Sequence, residues 1–318
     1  MVLDAVTLDA IREARARIAD RVHRTPIFSS QTLATMLGAR VFLKAENLQK
    51  TGSFKPRGAT NAVRLLGPEA RARGIVTISA GNHAQAVAYA AAPEGLRCVV
   101  VMPSGAVAGK VAACRALGAE VVLHGATTRE AFAHFEELQR REGLIPVHPF
   151  DDPDVIAGAG TVGLEIHEDV PDASLVVVPI GGGGLIGGIA SALRGLGARV
   201  RIVGVEPVGS NAMRAALDAG RPVAIERINS IADGLGAPAV SARTLDLTQR
   251  LVDDVVTIPD SDIAAAVRLL LERAKLLVEP AGAAGLAALL GGHIRAAGSI
   301  VIVLSGGNAD LQRLKEWL

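Results

Sequence analysis

The spacing of apolar residues changes along this chain, and each spacing predicts a different element. Residues 8–22 carry apolar side chains at helical intervals and an outer face rich in Arg and Glu, which predicts an amphipathic helix. From Gly74 onward, short apolar runs recur regularly and predict strands. The predicted strands are 41–44, 75–79, 97–102, 120–123, 175–180, 201–205, 251–256 and 300–304.

Helical periodicity occupies most of the intervals between these strands. The predicted helices are 8–22, 30–37, one from the Lys55 turn to about residue 66, one from His83, 107–117, 128–141, 155–167, one from Leu185, 210–219, 260–277, one after Gly282 and a short one after Gly307. Strands that alternate with helices of about 10–15 residues are typical of βαβ units, so the sequence predicts an α/β fold. Asp260 or Ser261 is expected to cap the helix that begins there.

A proline-containing, loop-like stretch at residues 148–153 divides this pattern into two parts. We expect the chain to cross between two domains here. The strands before His148 and those after it are then expected to form two open, mostly parallel sheets with flanking helices. The cleft between the sheets is the expected site.

Composition limits the partners of this protein. With 318 residues, the chain is long enough for one large or two modest domains. A net charge of +1 and an aromatic content of 3% provide no basic, aromatic-rich stripe, so we expect no nucleic-acid partner. The first residues lack a signal-peptide pattern, and charge or Gly interrupts the Ala-rich runs, so we expect neither export nor a membrane helix. Cys98 and Cys114 form no CxxC motif and are expected to be buried thiols in a reducing cytoplasm.

Lys55 lies between a Gly-Ser turn and a Pro-Arg-Gly segment. Ser53 as a cap and Pro56 in a first turn both signal the start of a helix. The unpaired N–H groups of that turn, together with partial burial, would lower the pKa of Lys55 and leave an amine able to attack a carbonyl. Lys55 is one of six lysines among 33 Lys plus Arg residues, and Arg forms no Schiff base. The alternative is an ordinary solvated lysine at a helix start.

Four consecutive glycines join a predicted strand to a predicted helix that opens with Leu185. They are Gly181, Gly182, Gly183 and Gly184. The backbone N–H groups of such a loop, next to a helix N-terminus, can hold an anion, and phosphate is the natural occupant. The alternative is a glycine-rich turn that serves only tight strand–helix packing.

The same loop fits a second motif. Gly182, Gly184 and Gly187 satisfy GxGxxG, and Glu206 ends the next strand, where a ribose-binding acid is expected. This pattern supports the alternative hypothesis of an NAD(P)-dependent oxidoreductase. That hypothesis would leave the Lys55 segment unexplained.

Two further loops follow predicted strands, at the edge where open α/β sheets place ligands. In residues 79–84, either Asn82 caps the next helix and His83 is a core histidine, or the loop clamps a carboxylate while Asn82 bonds a ring oxygen. In residues 305–308, Ser305 is either an ordinary turn residue or a hydroxyl aimed at a buried heteroatom.

These segments together resemble a known enzyme family, the threonine dehydratase / serine racemase family of fold-type II pyridoxal phosphate-dependent enzymes. The segments that carry the resemblance are residues 46–55, 79–85, 181–185 and 305–308. The resemblance extends in order over nearly the whole chain. It implies a tryptophan synthase β-like fold with pyridoxal 5'-phosphate in the cleft between domains. It also implies a discontinuous large domain of residues 1–72 and 147–318, and a small substrate-side domain of residues 73–146.

The resemblance assigns roles to single residues. The lysine that forms a Schiff base with the cofactor corresponds to Lys55, and Phe54 to the residue packed on the ring. The other expected cofactor-binding residues are Gly181, Gly182, Gly183, Gly184 and Leu185 for the phosphate, Asn82 for the ring hydroxyl and Ser305 for the pyridine nitrogen. The expected substrate-carboxylate residues are Ser79, Gly81 and His83. Glu279 lies in a segment similar to the family's Glu-Pro stretch near the cofactor.

The activity implied by the resemblance is β-elimination from a β-hydroxy amino acid, most simply L-threonine or L-serine, to give a 2-oxo acid and ammonia. Lys55 would remove the α-proton. The neutral hydroxyl of Ser305 would not hold the pyridine nitrogen protonated, which favours loss of the β-hydroxyl over transamination. The alternative is a racemase of the same family. Family racemases carry a serine at the position of Ala80, so the sequence favours elimination.

Other departures from the family pattern shape the remaining expectations. Metal-binding members carry a second carboxylate after the residue that resembles Glu206, but residues 211–213 offer none, so no metal is expected. Residues 158–161 read Gly-Ala-Gly-Thr where the family often has Gly-Gln-Gly-Thr, a change expected to reshape the substrate side. Loops such as 158–161 and 231–236 are expected to set substrate selectivity. The expected assembly is a homodimer.

Overall fold

The computed structural model describes residues 6–295 and 297–315 of the chain. Its α-helices are α1 (Leu8–Ile18), α2 (Gln31–Leu37), α3 (Lys55–Arg64), α4 (Pro68–Arg73), α5 (Asn82–Ala91), α6 (Ala108–Ala116), α7 (Thr128–Glu142), α8 (Pro153–Asp169), α9 (Gly184–Gly195), α10 (Ala212–Ala219), α11 (Ala242–Leu251), α12 (Asp260–Leu269), α13 (Pro280–Leu290) and α14 (Leu311–Leu314). Its strands are β1 (Ile27–Ser29), β2 (Arg40–Lys44), β3 (Ile75–Ile78), β4 (Cys98–Met102), β5 (Glu120–Leu123), β6 (Ile145–Pro146), β7 (Leu175–Pro179), β8 (Arg201–Pro207), β9 (Asp254–Ile258) and β10 (Ser299–Val303). The first residues, on which the expectation of no export signal rests, lie outside the described part.

The strands form two sheets. The larger has the order β1-β2-β10-β7-β8-β9, and the smaller has the order β5-β4-β3-β6. The β1–β2 pair is antiparallel, and the other pairs are parallel. The prediction of an α/β fold with two mostly parallel sheets is therefore confirmed.

The division of the strands at His148 is wrong for β1 and β2. Both strands precede His148, yet they belong to the larger sheet, where β2 pairs with β10 in a register that places Lys44 opposite Val303. The pairing is tertiary and leaves no local sequence signal. Its consequence is that the loop after β2, which leads to Lys55, lies beside the loop after β10. The proposed domain boundaries stay a prediction.

The central strands β4, β7 and β10 are buried along their whole length. Parallel strands with both faces covered are continuous apolar runs, which explains why the sequence pattern locates them well. Among the described helices, none combines the length and the apolar content needed to cross a membrane.

The predicted pattern is least accurate between residues 220 and 278. Helix α11 is not among the predicted helices, and β9 begins at Asp254 because Leu251 ends that helix. Ser241 begins α11 by accepting the N–H of Thr244, whose hydroxyl accepts the N–H of Ser241 in return. Helix α12 ends at Leu269 and continues as one π-helical turn, not as α-helix to residue 277.

Neither Asp260 nor Ser261 caps α12, so that prediction is wrong. The residue before the helix is Pro259, and the Asp260 carboxylate turns away to another segment. It accepts hydrogen bonds from Ser230 Oγ at 2.6 Å and from the Ile231 N–H at 2.9 Å. Asp260 thereby fixes the start of loop 231–236.

Glycines allow helices α3, α8 and α9 to approach one another closely. A Cβ on Gly158 would lie 2.7 Å from Gly58 Cα, and one on Gly160 would lie 2.9 Å from Gly188 O. Residues 158–161 are thus buried in the middle of α8 and set the distance between helices. The expectation that they form a selectivity loop is wrong.

Candidate active site

The loop before α3 is joined to the loop after β10 by backbone hydrogen bonds. The Phe54 N–H donates to Ser305 O at 3.1 Å, and the Gly307 N–H donates to Gly52 O at 2.8 Å. Because β2 and β10 are parallel neighbours, their carboxyl ends deliver both loops to the same edge of the larger sheet. The structure therefore brings Lys55 close to the Ser305 loop, as the sequence motifs together require.

Lys55 is the first residue of α3. Its Nζ donates to Pro149 O at 2.8 Å and lies 5.0 Å from the centroid of the Phe54 ring. Burial lowers the pKa of Lys55 from 10.5 to about 8, because desolvation disfavours the ammonium form. The lysine is therefore not an ordinary solvated one.

Ser53 does not cap α3, contrary to the prediction. The residue before the helix is Phe54, and Ser53 pairs instead with Gly306 in an antiparallel bridge. The Ser53 hydroxyl is buried and has no hydrogen-bond partner among the described residues. A buried, unpaired hydroxyl near Lys55 marks a place where a bound polar group would complete the hydrogen bonding.

The glycine loop joins β7 to α9, and its four residues have no side chains to cover the backbone. Gly183 has a φ of 92°, in the left-handed region that favours glycine, and directly precedes the first residue of α9. A Cβ on Gly183 would lie 2.7 Å from Met213 Cε, and a Cβ on Gly182 would overlap the Phe150 ring. Glycine is thus required here by space as well as by conformation. The adjacent helix N-terminus offers unpaired N–H groups to an anion.

Asn82 is fixed by side-chain contacts from both directions. Its Nδ2 donates to Glu279 Oε1 at 2.6 Å, and its Oδ1 accepts from Asn308 Nδ2 at 2.8 Å. Asn308 also donates to Thr51 O at 2.7 Å. Helix α5 begins at Asn82 itself, and within the described chain no side chain caps it, so the interpretation of Asn82 as a cap is wrong.

Glu279 lies directly before α13 and is buried. Its backbone N–H donates to Gly306 O at 3.0 Å, which attaches it to the Ser305 loop. Burial raises the pKa of Glu279 to about 7, while the hydrogen bond from Asn82 acts in the opposite direction. The carboxyl group therefore titrates near neutral pH, in contact with Asn82 and next to the Ser305 loop.

The predicted substrate loop contains a neutral histidine. His83 Nε2 lies 3.0 Å from Val147 O, and Nδ1 is buried without a partner among the residues described. Burial lowers the pKa of His83 to about 3, and the nearby charge of Lys55 lowers it further. Ser79 Oγ accepts the Gly81 N–H at 3.1 Å, so these two residues hold each other. Their assignment to the substrate carboxylate stays a prediction.

Comparison with known proteins decides between the two cofactor hypotheses. A family described as pyridoxal-phosphate dependent enzyme matches residues 18–306. The chain belongs to this family. The expectation from the sequence motifs is thereby confirmed, and pyridoxal phosphate is the cofactor.

Relatives match this family member over most of their length. The L-threonine ammonia-lyase of Thermotoga maritima is 43% identical over 309 residues, which cover 97% of this chain and 77% of that protein. Serine racemase from Oryza sativa subsp. japonica is 38% identical over 320 residues, which cover 99% of this chain and 94% of that protein. The solved structure of maize serine racemase has a TM-score of 0.93 at 39% identity and covers 98% of this chain and 96% of its own.

The residues present in this pyridoxal-phosphate dependent enzyme fit the cofactor. The bare glycine loop at the start of α9 suits a phosphate, and the desolvated amine of Lys55 suits an aldehyde. The hydroxyl of Ser53, which has no partner in the described part of the chain, is a polar group near Lys55 that a bound molecule could satisfy. The contacts assigned to single atoms of the cofactor stay predictions.

Glu206 does not serve a dinucleotide site. It is buried, and its two carboxylate oxygens accept the backbone N–H groups of Met213 and Arg214, both at 2.8 Å. The carboxylate thus caps α10, which begins just after the loop that follows β8. Burial raises its pKa to about 7, and the two backbone hydrogen bonds oppose that shift.

Phe150 contacts the glycine loop but is not singled out by the sequence motifs. Added Cβ atoms on Gly182 and Gly184 would both meet Phe150, and its ring lies edge-on to His148 with centroids 4.7 Å apart. The available signal is compositional. The chain has only six phenylalanines, and one of them stands in a proline-marked loop.

Proposed function

We propose that this protein catalyses the pyridoxal phosphate-dependent β-elimination of a β-hydroxy amino acid, most simply L-threonine or L-serine, to a 2-oxo acid and ammonia. The observation that carries the proposal is the partly buried amine of Lys55, which donates to Pro149 O and whose pKa is lowered to about 8. Its loop is hydrogen-bonded to the Ser305 loop. The similarity to an L-threonine ammonia-lyase supports the substrate class.

When bound, the cofactor supplies an electron sink for the charge that develops at Cα of the amino acid. We assign its phosphate to residues 181–185 and its ring face to Phe54. Asn82 would donate to the ring hydroxyl oxygen, because its Oδ1 is already occupied by Asn308 and its Nδ2 has a second hydrogen to offer.

Lys55 Nζ removes the α-proton. With a pKa of about 8, a useful fraction of this amine is free near neutral pH, whereas an ordinary ammonium is almost fully protonated there. Pro149 O accepts from Nζ at 2.8 Å and holds the amine whenever it is not bonded elsewhere. Ala80 has no proton-donating side chain, so one base acts on one face of Cα.

Ser305 favours elimination. Its hydroxyl is buried and does not hold a pyridine nitrogen protonated, as a carboxylate would. Negative charge at Cα would then be short-lived. The β-hydroxyl would depart as water, with a proton that balances the one Lys55 removes from Cα. The enamine product takes up water after release and yields the 2-oxo acid and ammonia.

A panel of L-threonine, L-serine and β-hydroxyaspartate, scored for release of 2-oxo acid by the purified holoenzyme, tests the proposal. We expect at least one of the three to be deaminated, and we expect Lys55→Ala to lower the rate by at least about a thousandfold. Borohydride reduction followed by peptide mapping should place the label on Lys55. Absence of oxo acid from every substrate would refute the proposed activity.

The similarity to serine racemases makes racemisation the second candidate. Ala80 disfavours it, because the face opposite Lys55 then lacks a side-chain acid. Chiral analysis of L-serine reactions separates the two activities. Formation of D-serine faster than pyruvate would reverse the order of the two candidates.

We also propose a homodimer in the cytoplasm. Both cysteines, Cys98 and Cys114, are buried free thiols. Burial raises the pKa of Cys98 to about 12 and that of Cys114 to about 11, so both thiols remain protonated, as suits a reducing compartment.

Light scattering on the protein as it elutes from a sizing column tests the proposed homodimer. A mass equal to one chain would contradict it.

A further inference from the structure

Residues 148–151 contact both the amine and the glycine loop. Pro149 O accepts from Lys55 Nζ at 2.8 Å, and the Phe150 ring lies directly against Gly182. Both contacts come from one short turn between β6 and α8. A small displacement of this turn would move the acceptor of Lys55 and the ring on the glycine loop together.

His148 holds this turn in shape from within. Its Nδ1 accepts the backbone N–H of Phe150 at 3.2 Å and that of Asp151 at 2.7 Å. A ring nitrogen accepts only when it carries no proton, so the ring is neutral with its proton on Nε2. Asp151 is fixed from the other side by Arg243 of α11, whose Nη1 donates to Oδ1 at 2.8 Å.

We propose that His148 is a positioning residue. Its neutral ring fixes the Pro149 carbonyl and the Phe150 ring. These two groups in turn hold Lys55 and the glycine loop in position. The residue acts through the backbone and does not take part in the chemistry. The proposal rests on the role proposed above for Lys55 and the glycine loop in binding the cofactor.

Protonation of His148 would break both hydrogen bonds at once, because Nδ1–H would then face two other donors. Burial lowers the pKa of His148, and the charge of Lys55 lowers it further, while Asp151 and Asp152 act to raise it. Among the described residues, His83 is a further titratable group that interacts with His148. Because the pKa of His148 in the folded protein lies below the ordinary value of about 6.5, the turn is intact at neutral pH. It loosens only when the pH falls through the lowered pKa.

Three variants test the proposal. In His148→Asn, the side-chain Oδ1 can accept the same two N–H groups and does not titrate. His148→Ala removes the acceptor. His167→Ala, in the last turn of α8, is the matched control for loss of a histidine. The measurements on each holoenzyme are the rate of pyridoxal phosphate release and the visible absorbance of the lysine-bound cofactor, from about pH 5 to about pH 8.

We expect His148→Ala to release the cofactor about tenfold faster than the wild type at neutral pH, in line with the loss of two hydrogen bonds. His148→Asn should stay within about twofold of the wild type at neutral pH. It should also lack the increase in release rate that we expect of the wild type at acid pH. His167→Ala should match the wild type throughout. In ¹⁵N spectra at neutral pH, His148 should show an unprotonated Nδ1.

The proposal is overturned if His148→Asn behaves like His148→Ala, if His148→Ala retains the cofactor like the wild type, or if His148→Asn keeps the acid-dependent release. Should His148→Ala fail to fold, the comparison of His148→Asn with the wild type across pH decides alone. Cofactor release requires no turnover. These measurements therefore stand even if no amino acid proves to be a substrate.

Discussion

Asn82 donates from its side-chain amide to Glu279 Oε1 at 2.6 Å, and this hydrogen bond connects segments that belong to the two different sheets. Asn82 follows β3 of the smaller sheet, whereas Glu279 is hydrogen-bonded to the loop after β10 of the larger one. The residue proposed to bind the cofactor's ring hydroxyl is therefore held by a residue attached to the larger sheet. The carboxyl group of Glu279, which accepts this hydrogen bond, titrates near neutral pH.

Glu279→Gln should stabilise the protein at alkaline pH and leave it unchanged at acid pH. The pKa of Glu279 is raised to about 7, so the folded state resists ionisation that the unfolded state completes above about pH 4.5. Stability is thus lost as the pH rises from about 4.5 to about 7, and the uncharged amide avoids that loss. We expect a gain of about 3 kcal/mol in the free energy of unfolding at about pH 8, measured with urea.

The exposed Glu226→Gln is the matched control for this substitution and should show no such pH dependence. An equal effect of Glu279→Gln at about pH 5 and about pH 8 would contradict the raised pKa.

Gly182→Ala should weaken pyridoxal phosphate binding by at least about tenfold, which corresponds to about 1.4 kcal/mol. The new Cβ would overlap the Phe150 ring and force either the ring or the glycine loop to move. Equilibrium dialysis measures the affinity. Gly109→Ala is the control, because nothing lies within 4 Å of its added Cβ. Unchanged binding in Gly182→Ala would show that the loop does not hold the cofactor.

Local patterns predict the buried strands of this fold and fail where tertiary contacts decide. The apolar runs locate β4, β7 and β10 within one residue at each end, since buried parallel strands have no other sequence form. Strands β1 and β6 have only three and two residues, too few to show periodicity. They exist because a neighbouring strand offers hydrogen bonds, which no local pattern reveals.

The site divides in the same way. The glycine loop and Lys55 stand out because their residue types are unusual at those positions. The partners of Asn82 do not stand out, since Glu279 and Asn308 reach it only through the meeting of three loops. The contact of Phe150 with the glycine loop is equally invisible in sequence. Residue types thus indicate the chemistry, whereas tertiary contacts determine how each group is held.

His83→Gln should reduce the loss of stability at acid pH. Burial lowers the pKa of His83 to about 3. Below about pH 6.5, the unfolded state therefore binds a proton at this residue, whereas the folded state does not bind it until about pH 3. The wild type should therefore lose about 2 kcal/mol relative to the variant between neutral pH and about pH 5. Glutamine keeps a donor for Val147 O, where His83 Nε2 now lies at 3.0 Å.

Urea unfolding across this pH range measures the difference in stability, and His167→Gln controls for the loss of a histidine. Parallel pH profiles of His83→Gln and the wild type would contradict a neutral, buried His83.

Four buried charged side chains form a hydrogen-bonded network next to the loop that carries Lys55. Glu46 precedes the loop and Arg57 follows it, and Arg57 Nε donates to Glu46 Oε2 at 2.8 Å. Arg57 Nη1 also donates to Glu165 Oε1 at 2.7 Å, and Lys44 Nζ donates to Glu165 Oε2 at 2.5 Å. Two cations and two anions thus balance one another in the interior.

Removing one member of this network should be costly, because the partners stay buried. Arg57→Met leaves Glu46 without its ion pair, and we expect a loss of about 3–5 kcal/mol in the free energy of unfolding by urea titration. Arg141→Met is the matched control, since Arg141 pairs with Glu137 and Glu142 at the surface, and it should change stability little. Equal effects of the two substitutions would show that the buried pair does not hold the loop. Adding Glu46→Gln to Arg57→Met should recover part of the loss, because the uncompensated charge is then gone.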